Sequence, residues 1–284
     1  MKHENIALLG ATGFLGQQVL IDLVNNGYKV TVILNSTSND LFPVPVLTLK
    51  QFLSCKVKFD FIINCAGYYS KFATFSEAYK IRKSNYILIK QLTKFRKKKG
   101  GSLVTFGSYF EQIPSWREIP ANCYTKYKIK AKRLLNTSAK KISFPTFYIY
   151  LFDTYGEEDN RNKVLTYIIG EFKVGKIPKL TNPLEFINWS HKSDISASVI
   201  NLVKNSDKYL PYELHEFQIR SLDEFRLVDF IHTISRKINL YESSCYENSN
   251  PSNLLDCAPN LTYFKANYNI IDFTLNLIQK NDAP

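Results

Sequence analysis

The sequence predicts an α/β fold built on a doubly wound parallel sheet. Two observations carry this prediction. Over residues 1–155 short apolar, β-branched runs alternate with longer segments of helical periodicity, and the first apolar run leads into a glycine-rich turn. Strands that alternate with helices form βαβ units, whose strands lie parallel in one sheet. We therefore expect one sheet with helices on both faces.

The individual elements follow from the pattern of apolar residues. Continuous apolar runs are typical of buried parallel strands, whereas apolar residues at helical spacing indicate helices. The predicted strands span residues 6–9, 29–34, 61–63, 103–106 and 147–152. The predicted helices span residues 15–26, 75–95 and 124–136.

The alternation of strands and helices weakens after residue 155. A short strand is predicted at 216–219, followed by a helix that opens at Ser221-Leu222-Asp223-Glu224 with capping-box residues. Loops rich in proline, asparagine and serine occupy residues 248–260. We expect residues 1–155 to bind a dinucleotide and residues 156–284 to form mainly a smaller substrate-binding lobe, with some segments returning to the sheet.

Composition excludes several classes of protein. The chain is 45% hydrophobic and 22% charged, which is typical of a folded globular protein. No apolar run approaches the roughly 20 residues that cross a bilayer, and the N-terminal run is too short for a secretory signal. The five cysteines form no C-x-x-C pair and the four histidines lack metal-ligand spacing. We expect a cytoplasmic protein with reduced thiols, no metal site and no membrane partner.

The net charge of +12 leaves three interpretations open: nucleic-acid binding, anionic small molecules, or a lysine-rich composition without function. The densest basic run, residues 94–99, precedes Gly100-Gly101, where a solvated loop is expected. No RNP motif or zinc finger is present, so we expect no nucleic-acid partner.

A glycine-rich loop follows the first predicted strand. The residues Gly10-Ala11-Thr12-Gly13-Phe14-Leu15-Gly16 have the spacing G-x-x-G-x-x-G and open a helix. In such a loop the first glycine makes the tight turn, the second lets the backbone approach a pyrophosphate, and the third allows close packing of helix on strand. The strand, turn and helix together predict a Rossmann-type dinucleotide site.

The end of the second predicted strand carries no acidic residue. An Asp or Glu there would bind the ribose hydroxyls of NAD and repel a 2′-phosphate. The chain instead continues Asn35-Ser36-Thr37-Ser38, with Asp40 several residues later and no arginine nearby. This neutral end favours NADP(H) over NAD(H), with Asn35 and Ser36 at the ribose.

Tyr124 and Lys128 form a Y-x-x-x-K pair on a predicted helix, where residues i and i+4 share one face. A lysine near a phenol favours the phenolate, so we expect Lys128 to lower the pKa of Tyr124. The alternative Tyr127 has Ala131 four residues later. Ser108, at the end of the strand before this helix, is placed to donate a hydrogen bond to a substrate carbonyl; Thr105 is its nearest rival.

Together these motifs resemble the extended short-chain dehydrogenase/reductase superfamily, in its branch of nucleotide-sugar epimerases and dehydratases. The resemblance spans nearly the whole chain. It includes the segment Asp60-Phe61-Ile62-Ile63-Asn64-Cys65-Ala66-Gly67 and the segment Asp153-Thr154-Tyr155-Gly156. It implies that Asn64, Cys65 and Ala66 border the cofactor, and that Asn85 positions a water that carries protons.

Within that branch the sequence looks most similar to the CDP-sugar reductases of the paratose and abequose synthase type. Gly107-Ser108, Tyr124-Thr125-Lys126 and the run from Tyr155 to Ile169 carry this similarity. It implies a CDP-linked keto sugar as substrate, in surface-polysaccharide (O-antigen) synthesis, and a homodimer as one candidate assembly. The implied substrate-binding residues are Tyr68, Ser108, Tyr109, Asn162 and Lys163.

The sequence departs from the family pattern at one phosphate contact. Where the family carries Arg-Asp-Phe, this chain has Ile187-Asn188-Trp189, so the phosphate contact must come from Lys163, Arg161 or Lys192.

Three reactions share this scaffold. A 4,6-dehydratase needs an Asp-Glu pair directly after the catalytic hydroxyl residue, whereas Tyr109 and Phe110 stand there and Glu111 comes one residue later. An epimerase that recycles bound NAD conflicts with the neutral end of the second strand. A reductase that consumes NADPH needs only Ser108, Tyr124 and Lys128 and fits best. A non-catalytic dinucleotide-binding regulator is the alternative from another class.

Overall fold

The computed structural model describes residues 4–35, 42–70, 74–113, 122–221, 224–240, 262–265 and 267–279. The strands are β1 (Asn5–Leu9), β2 (Lys29–Leu34), β3 (Val46–Thr48), β4 (Phe61–Asn64), β5 (Ser102–Ser108), β6 (Thr146–Leu151), β7 (Asp153–Tyr155), β8 (Phe186–Ile187), β9 (Trp189–His191), β10 (Leu214–Arg220), β11 (Phe225–Arg226) and β12 (Thr262–Lys265). The helices are α1 (Phe14–Asn25), α2 (Leu49–Ser54), α3 (Phe75–Arg82), α4 (Leu88–Lys99), α5 (Cys123–Ala139), α6 (Val164–Lys173), α7 (Lys192–Lys204), α8 (Leu227–Lys237) and α9 (Ile270–Gln279).

Eight strands form one parallel sheet in the order β12-β10-β6-β5-β4-β1-β2-β3. This confirms the predicted doubly wound α/β fold. The strand order reverses between β1 and β4, and at such a switch point the carboxyl edge of the sheet leaves a crevice for ligands. Leu9 pairs with Asn64 and Asn64 with Thr105, so the ends of β1, β4 and β5 meet at this crevice.

Apolar residues cover both faces of the sheet. One face packs against α1 and α7 through residues such as Val19, Leu23 and Val199. The other packs against α4 and α5 through residues such as Leu92 and Leu135. The burial of both faces explains the unbroken apolar runs of the strands.

A third apolar cluster lies outside the sheet and joins α6, α8 and α9. Its core includes Ile168, Phe172, Phe230, Ile231 and Ile270. Strands β10 and β12, from the same half of the chain, return to the main sheet. The domain boundary at residue 155 stays a prediction.

The prediction of a solvated loop for the basic run 94–99 was wrong. These residues form the end of α4, which stops at Gly100, whose φ of 82° favours glycine. Arg96 is only 2% exposed, because its guanidinium bonds to Gly101 O (2.8 Å) and to the hydroxyl of Thr146 (2.9 Å). The run therefore combines exposed lysines with one buried structural arginine.

The helix predicted to open at Ser221 also differs. Helix α8 begins at Leu227, after the short strand β11. The carboxylate of Glu224 pairs with Arg220 rather than capping a helix. Leu222 and Asp223 lie outside the described residues, as does the loop predicted at 248–260. None of the helices in the described part of the chain is long and apolar enough to cross a membrane.

Candidate active site

A cleft of about 380 Å³ opens at the crevice between β1 and β4. It brings together residues from segments that are distant in sequence: the glycine loop, the end of β2, the start of α2, the loop after β4, and helices α3 and α4 with the turn between them. Of the predicted site residues, those that line it are Gly10, Thr12, Gly13, Asn35, Cys65, Ala66 and Tyr68.

The glycine loop is packed too closely for side chains at two of its three glycines. A Cβ on Gly10, where φ is +81°, would lie 2.5 Å from the backbone nitrogen of Ala66. A Cβ on Gly16 would lie 1.9 Å from the oxygen of Gly10. The loop is thereby held against the end of β4 and the start of α1.

The N-terminus of α1 is open to an anion. Gly13 is its N-cap and offers no side-chain hydrogen bond, and the first turn contains no acidic residue. Among the described residues no side chain caps these first amides, so they and the helix dipole are available to an anion. Phe14 and Leu15 begin the helix; Leu15 packs against the core, so any contact from it to a cofactor comes from its backbone.

Two cations lie above Phe14. The Arg161 guanidinium stacks on the Phe14 ring at 3.9 Å from its centroid, and Lys192 Nζ lies at 5.4 Å. Asp159 holds Arg161 by paired bonds of 2.6 Å, and the hydroxyl of Thr154 accepts a further one at 2.9 Å. Two of the three cations expected to replace the family arginine thus lie beside the dinucleotide loop.

The ribose end of the cleft is neutral on one wall and basic on the other. Asn35 comes from the end of β2, whereas Lys80 and Lys83 come from the opposite wall. Lys80 is paired with Glu77 at 2.8 Å. Ser36 and Asp40 lie outside the described residues. The two lysines were missed in the sequence, where only their spacing of three on a helix signals a shared face.

The last residue of β4 has a structural role. Asn64 is buried, donates to the hydroxyl of Thr105 (3.1 Å) and accepts a bond from the amide of Ala66 (3.3 Å). Asn64 therefore shapes the turn under the cleft. Thr105, the alternative to Ser108, accepts the hydrogen bond from Asn64 and so takes part in the same structural role. Burial raises the pKa of Cys65, so this thiol stays protonated.

Ser108, Tyr124 and Lys128 lie together at the end of β5. The hydroxyl of Ser108 interacts with the phenol of Tyr124, and Lys128 Nζ lies 5.6 Å from the centre of the Tyr124 ring. Lys128 is only 8% exposed and donates to the backbone oxygen of Phe106 at 2.7 Å. The ring of Tyr69, which the sequence did not single out, contacts Tyr124 edge-on at 5.2 Å.

The expectation that Lys128 lowers the pKa of Tyr124 is not met in this structure. Burial raises the pKa of Tyr124, and the charge of Glu111 adds to this effect, while the hydrogen bond with Ser108 opposes it. Burial also lowers the pKa of Lys128. The phenol of Tyr124 is therefore protonated at neutral pH, which is the state that a proton donor requires.

Asn85 interrupts the helix that was predicted across residues 75–95. Its side-chain nitrogen donates to the backbone oxygens of Ile81 (3.0 Å) and Tyr68 (2.7 Å), and the backbone opens into a π-helical turn at Lys83–Ile87. Asn85 Oδ1 is buried and has no hydrogen-bond partner among the described residues. A buried acceptor of this kind needs a hydrogen-bond donor, which a bound water or ligand would supply.

The predicted substrate residues occupy three places. Tyr68 lines the cleft, and its hydroxyl donates to Glu77 at 2.6 Å. Tyr109 follows Ser108 and stacks on Phe152, with ring centres 5.3 Å apart. Lys163 pairs with Asp153 at 3.5 Å, and Asn162 beside it is exposed. These assignments stay predictions.

The model of the family described as "NAD dependent epimerase/dehydratase family" matches residues 6–213. The chain belongs to this family. The matched residues include the glycine loop and the Ser108–Tyr124–Lys128 cluster. No curated protein matches the sequence significantly.

Solved structures share the fold of the whole chain. UDP-N-acetylglucosamine 4-epimerase from Bacillus cereus superposes with a TM-score of 0.74 at 19% identity, covering 99% of this chain and 100% of the other. WbmF of Bordetella bronchiseptica, solved with NAD+ and UDP, has a TM-score of 0.73 at 16% identity, with 99% and 93% covered. MoeE5, solved with UDP-glucose and NAD, has a TM-score of 0.71 at 13% identity, with 98% of each chain covered.

Proposed function

We propose that the protein is an NADPH-dependent reductase of a nucleotide-linked 4-keto-6-deoxy or 3,6-dideoxy hexose. The observation that carries the proposal is a half-buried, protonated Tyr124 that lies with Ser108 and Lys128 beside a dinucleotide cleft, with Lys128 Nζ 5.6 Å from the centre of its ring. A reduction needs an acid that gives its proton to the carbonyl oxygen as hydride reaches the carbon.

The residues of the cleft fit a dinucleotide. The glycine loop leaves no room for a Cβ at two positions, and the open N-terminus of α1 is suited to a pyrophosphate. The cofactor would supply the hydride. Ser108 would hold the substrate oxygen, Tyr124 would give it a proton, and Lys128 would bind the nicotinamide ribose. Asn85, with its unpartnered Oδ1, would hold a water that returns a proton to Tyr124.

The preference for NADP(H) rests on charge. Asn35 at the end of β2 does not repel a 2′-phosphate, and Lys83 on the opposite wall adds a positive charge to the cleft. WbmF and MoeE5 were solved with NAD, so our proposal of NADP(H) differs from the cofactor that these structures of the same fold contain.

The choice of reaction follows from two residues. Glu111 is turned inward, where its carboxylate accepts a hydrogen bond from the amide of Ser108, and so it does not serve as the acid–base group of a dehydratase. A reductase with exchangeable NADPH agrees with the neutral Asn35. The CDP-linked substrate and a place in surface-polysaccharide synthesis rest on the resemblance to the paratose and abequose synthases.

The experiment follows the absorbance of reduced nicotinamide with NADPH or NADH. The trial substrates are CDP-, dTDP-, GDP- and UDP-linked 4-keto-6-deoxyhexoses and the CDP-linked 4-keto-3,6-dideoxyhexose. Oxidation of NADPH with one of them supports the proposal and identifies the nucleotide. Tyr124→Phe should lower kcat by roughly 10²–10⁴-fold, since it removes the proton donor. Tyr127→Phe is the matched control on the same helix and should keep the activity.

The second candidate is an epimerase with tightly bound NAD, as the shared fold of the Bacillus cereus UDP-N-acetylglucosamine 4-epimerase suggests. Interconversion of an unmodified nucleotide sugar without added cofactor, and no oxidation of NADPH with any keto sugar, would replace our proposal with this one. Binding of dinucleotide without any turnover would instead indicate a regulatory protein.

A further inference from the structure

A buried carboxyl group lies directly behind the Ser108–Tyr124–Lys128 cluster. Glu111 ends the 3-10 turn that follows β5 and is only 3% exposed. Its Oε1 accepts a hydrogen bond from the amide of Ser108 at 2.7 Å. The hydroxyl of Tyr148, on β6, lies 3.1 Å from both carboxylate oxygens. The carboxylate is thus held from two sides and is joined to the backbone of Ser108.

Gly107 leaves the space that this acid–phenol pair fills. A Cβ on Gly107 would lie 2.4 Å from Tyr148 Cε1 and 2.8 Å from Glu111 Oε1. A side chain at this position would therefore displace the carboxylate that bonds to Ser108. Glycine at position 107 therefore leaves the space that the Glu111 carboxylate occupies.

Charged and titratable groups from three elements face Glu111. On α5 they are Tyr124, Lys128 and Lys132; on β6 they are Tyr148 and Tyr150; behind them on β10 lies Glu216. Lys132 Nζ bonds to Tyr150 Oη (2.6 Å) and Glu216 (3.0 Å), so its charge is partly neutralised locally. Lys128 donates only to a backbone oxygen among the bonds described for it.

The pKa of the Glu111 carboxyl lies near neutral pH. Burial raises its pKa to about 7, against the opposing effects of the Lys128 charge, the Ser108 amide and the Tyr148 hydroxyl. When Glu111 is ionised, its charge raises the pKa of both Tyr124 and Lys128. Hydrogen bonding and charge therefore couple this carboxyl to Ser108, Tyr124 and Lys128.

We propose that Glu111 is a positioning residue, which fixes Ser108 and sets a titratable negative charge behind Tyr124 and Lys128. The inference rests on the proposed reductase function and deepens it. Above neutral pH the ionised carboxylate raises the pKa of Tyr124, and it raises the pKa of Lys128 against the effect of burial. As the pH falls through 7, Glu111 becomes neutral, so Tyr124 loses a neighbouring negative charge and becomes a stronger proton donor.

The test compares pH profiles of kcat for three variants. Glu111→Gln keeps an oxygen acceptor for the Ser108 amide but removes the charge. Tyr148→Phe keeps the charge but removes the hydroxyl that stabilises it. Glu213→Gln, an exposed glutamate, is the control and should match the wild type.

The wild type should show a step in log kcat near pH 7, because the pKa of Glu111 is raised to about 7. Glu111→Gln should lack the step, and its alkaline limb should move to lower pH, because Tyr124 loses a neighbouring negative charge. Tyr148→Phe should move the step to higher pH, since the lost hydrogen bond had favoured the ionised form. KM for the keto sugar should change by less than about threefold, or roughly 0.6 kcal/mol of binding.

Two results would overturn the inference. One is a Glu111→Gln profile that superimposes on the wild type, whatever happens to its melting temperature. The other is an unmoved step in Tyr148→Phe, which decides the matter even if Glu111→Gln fails to fold.

Infrared difference spectra of the resting protein distinguish a failure of the proposed reductase function from a failure of the inference about Glu111. Lowering the pH through 7 should produce the carbonyl band of a buried protonated carboxyl, absent in Glu111→Gln. If no keto sugar is reduced but this band titrates, the reductase proposal fails while the charge behind Tyr124 stands. If the band does not titrate, the inference about Glu111 fails by itself.

Discussion

Replacing Arg96 tests how the sheet is fastened behind the active site. Its guanidinium joins the end of α4 to the starts of β5 and β6 through four acceptors. The bonds to Gly101 O and Thr146 Oγ1 are buried, and those to Phe144 O and Pro145 O are partly open to solvent. In Arg96→Met the two buried acceptors lose their donor, at about 2 kcal/mol each. Water can replace the guanidinium at the other two, so they add little.

We therefore expect Arg96→Met to lower the free energy of unfolding by about 4 kcal/mol, or the melting temperature by about 10 °C. Urea unfolding at neutral pH measures this change, with an unchanged m-value if the folded state keeps its compactness. Lys97→Met, the exposed neighbour, is the control and should stay within about 0.5 kcal/mol.

Thr146→Val removes a single acceptor of Arg96 and should cost about 1–2 kcal/mol. This milder change keeps the test informative if Arg96→Met does not fold. A loss below about 1 kcal/mol in Arg96→Met would refute the reasoning, because it would mean that the buried acceptors find other donors.

Three further predictions concern the cofactor cleft. Asn35→Asp places a carboxylate at the end of β2 and should lower kcat/KM for NADPH relative to NADH by about fivefold or more, since like charges repel by about 1–4 kcal/mol there. An unchanged ratio of the two values would contradict the assignment. Gly16→Ala puts a Cβ 1.9 Å from a backbone oxygen of the glycine loop and should weaken NADPH binding, measured by fluorescence titration, at least about tenfold. Gly170→Ala, with nothing within 4 Å of its Cβ, is its control and should bind normally. Lys83→Gln should raise the Kd for NADPH, whereas Lys90→Gln on the outer face of α4 should not; equal effects would show that Lys83 acts only through net charge.

Local signals in the sequence were enough to predict the sheet and the cofactor loop. Strand β1, the glycine loop and α1 are contiguous, so one stretch of sequence contains the strand, the turn and the helix start that define the motif. The pair Tyr124 and Lys128 is likewise local, because i and i+4 meet on any helix. These features needed no knowledge of distant residues.

Prediction failed where one residue departed from its neighbours. Arg96 stands in a run of lysines, and its burial depends on acceptors about 50 positions later in the chain. Within the π-helical turn, the side chain of Asn85 donates to the oxygen of Tyr68, 17 positions earlier in the chain. Local patterns of charge and periodicity do not contain these distant partners, so they predict neither the burial of Arg96 nor the contact of Asn85.

The sequence by itself determined the alternation of the main strands and helices over residues 1–155 and the place of the dinucleotide loop, and it predicted the Tyr124–Lys128 pair, because these follow from periodicity and short spacings. Only the tertiary structure decided the electrostatics around that pair. Glu111 faces Tyr148 across neighbouring strands, and burial, a property of the packed molecule, raises the pKa of Tyr124 where the sequence suggested a fall. The free energy of a charge depends on its surroundings in three dimensions, and those surroundings come from residues far apart in the chain.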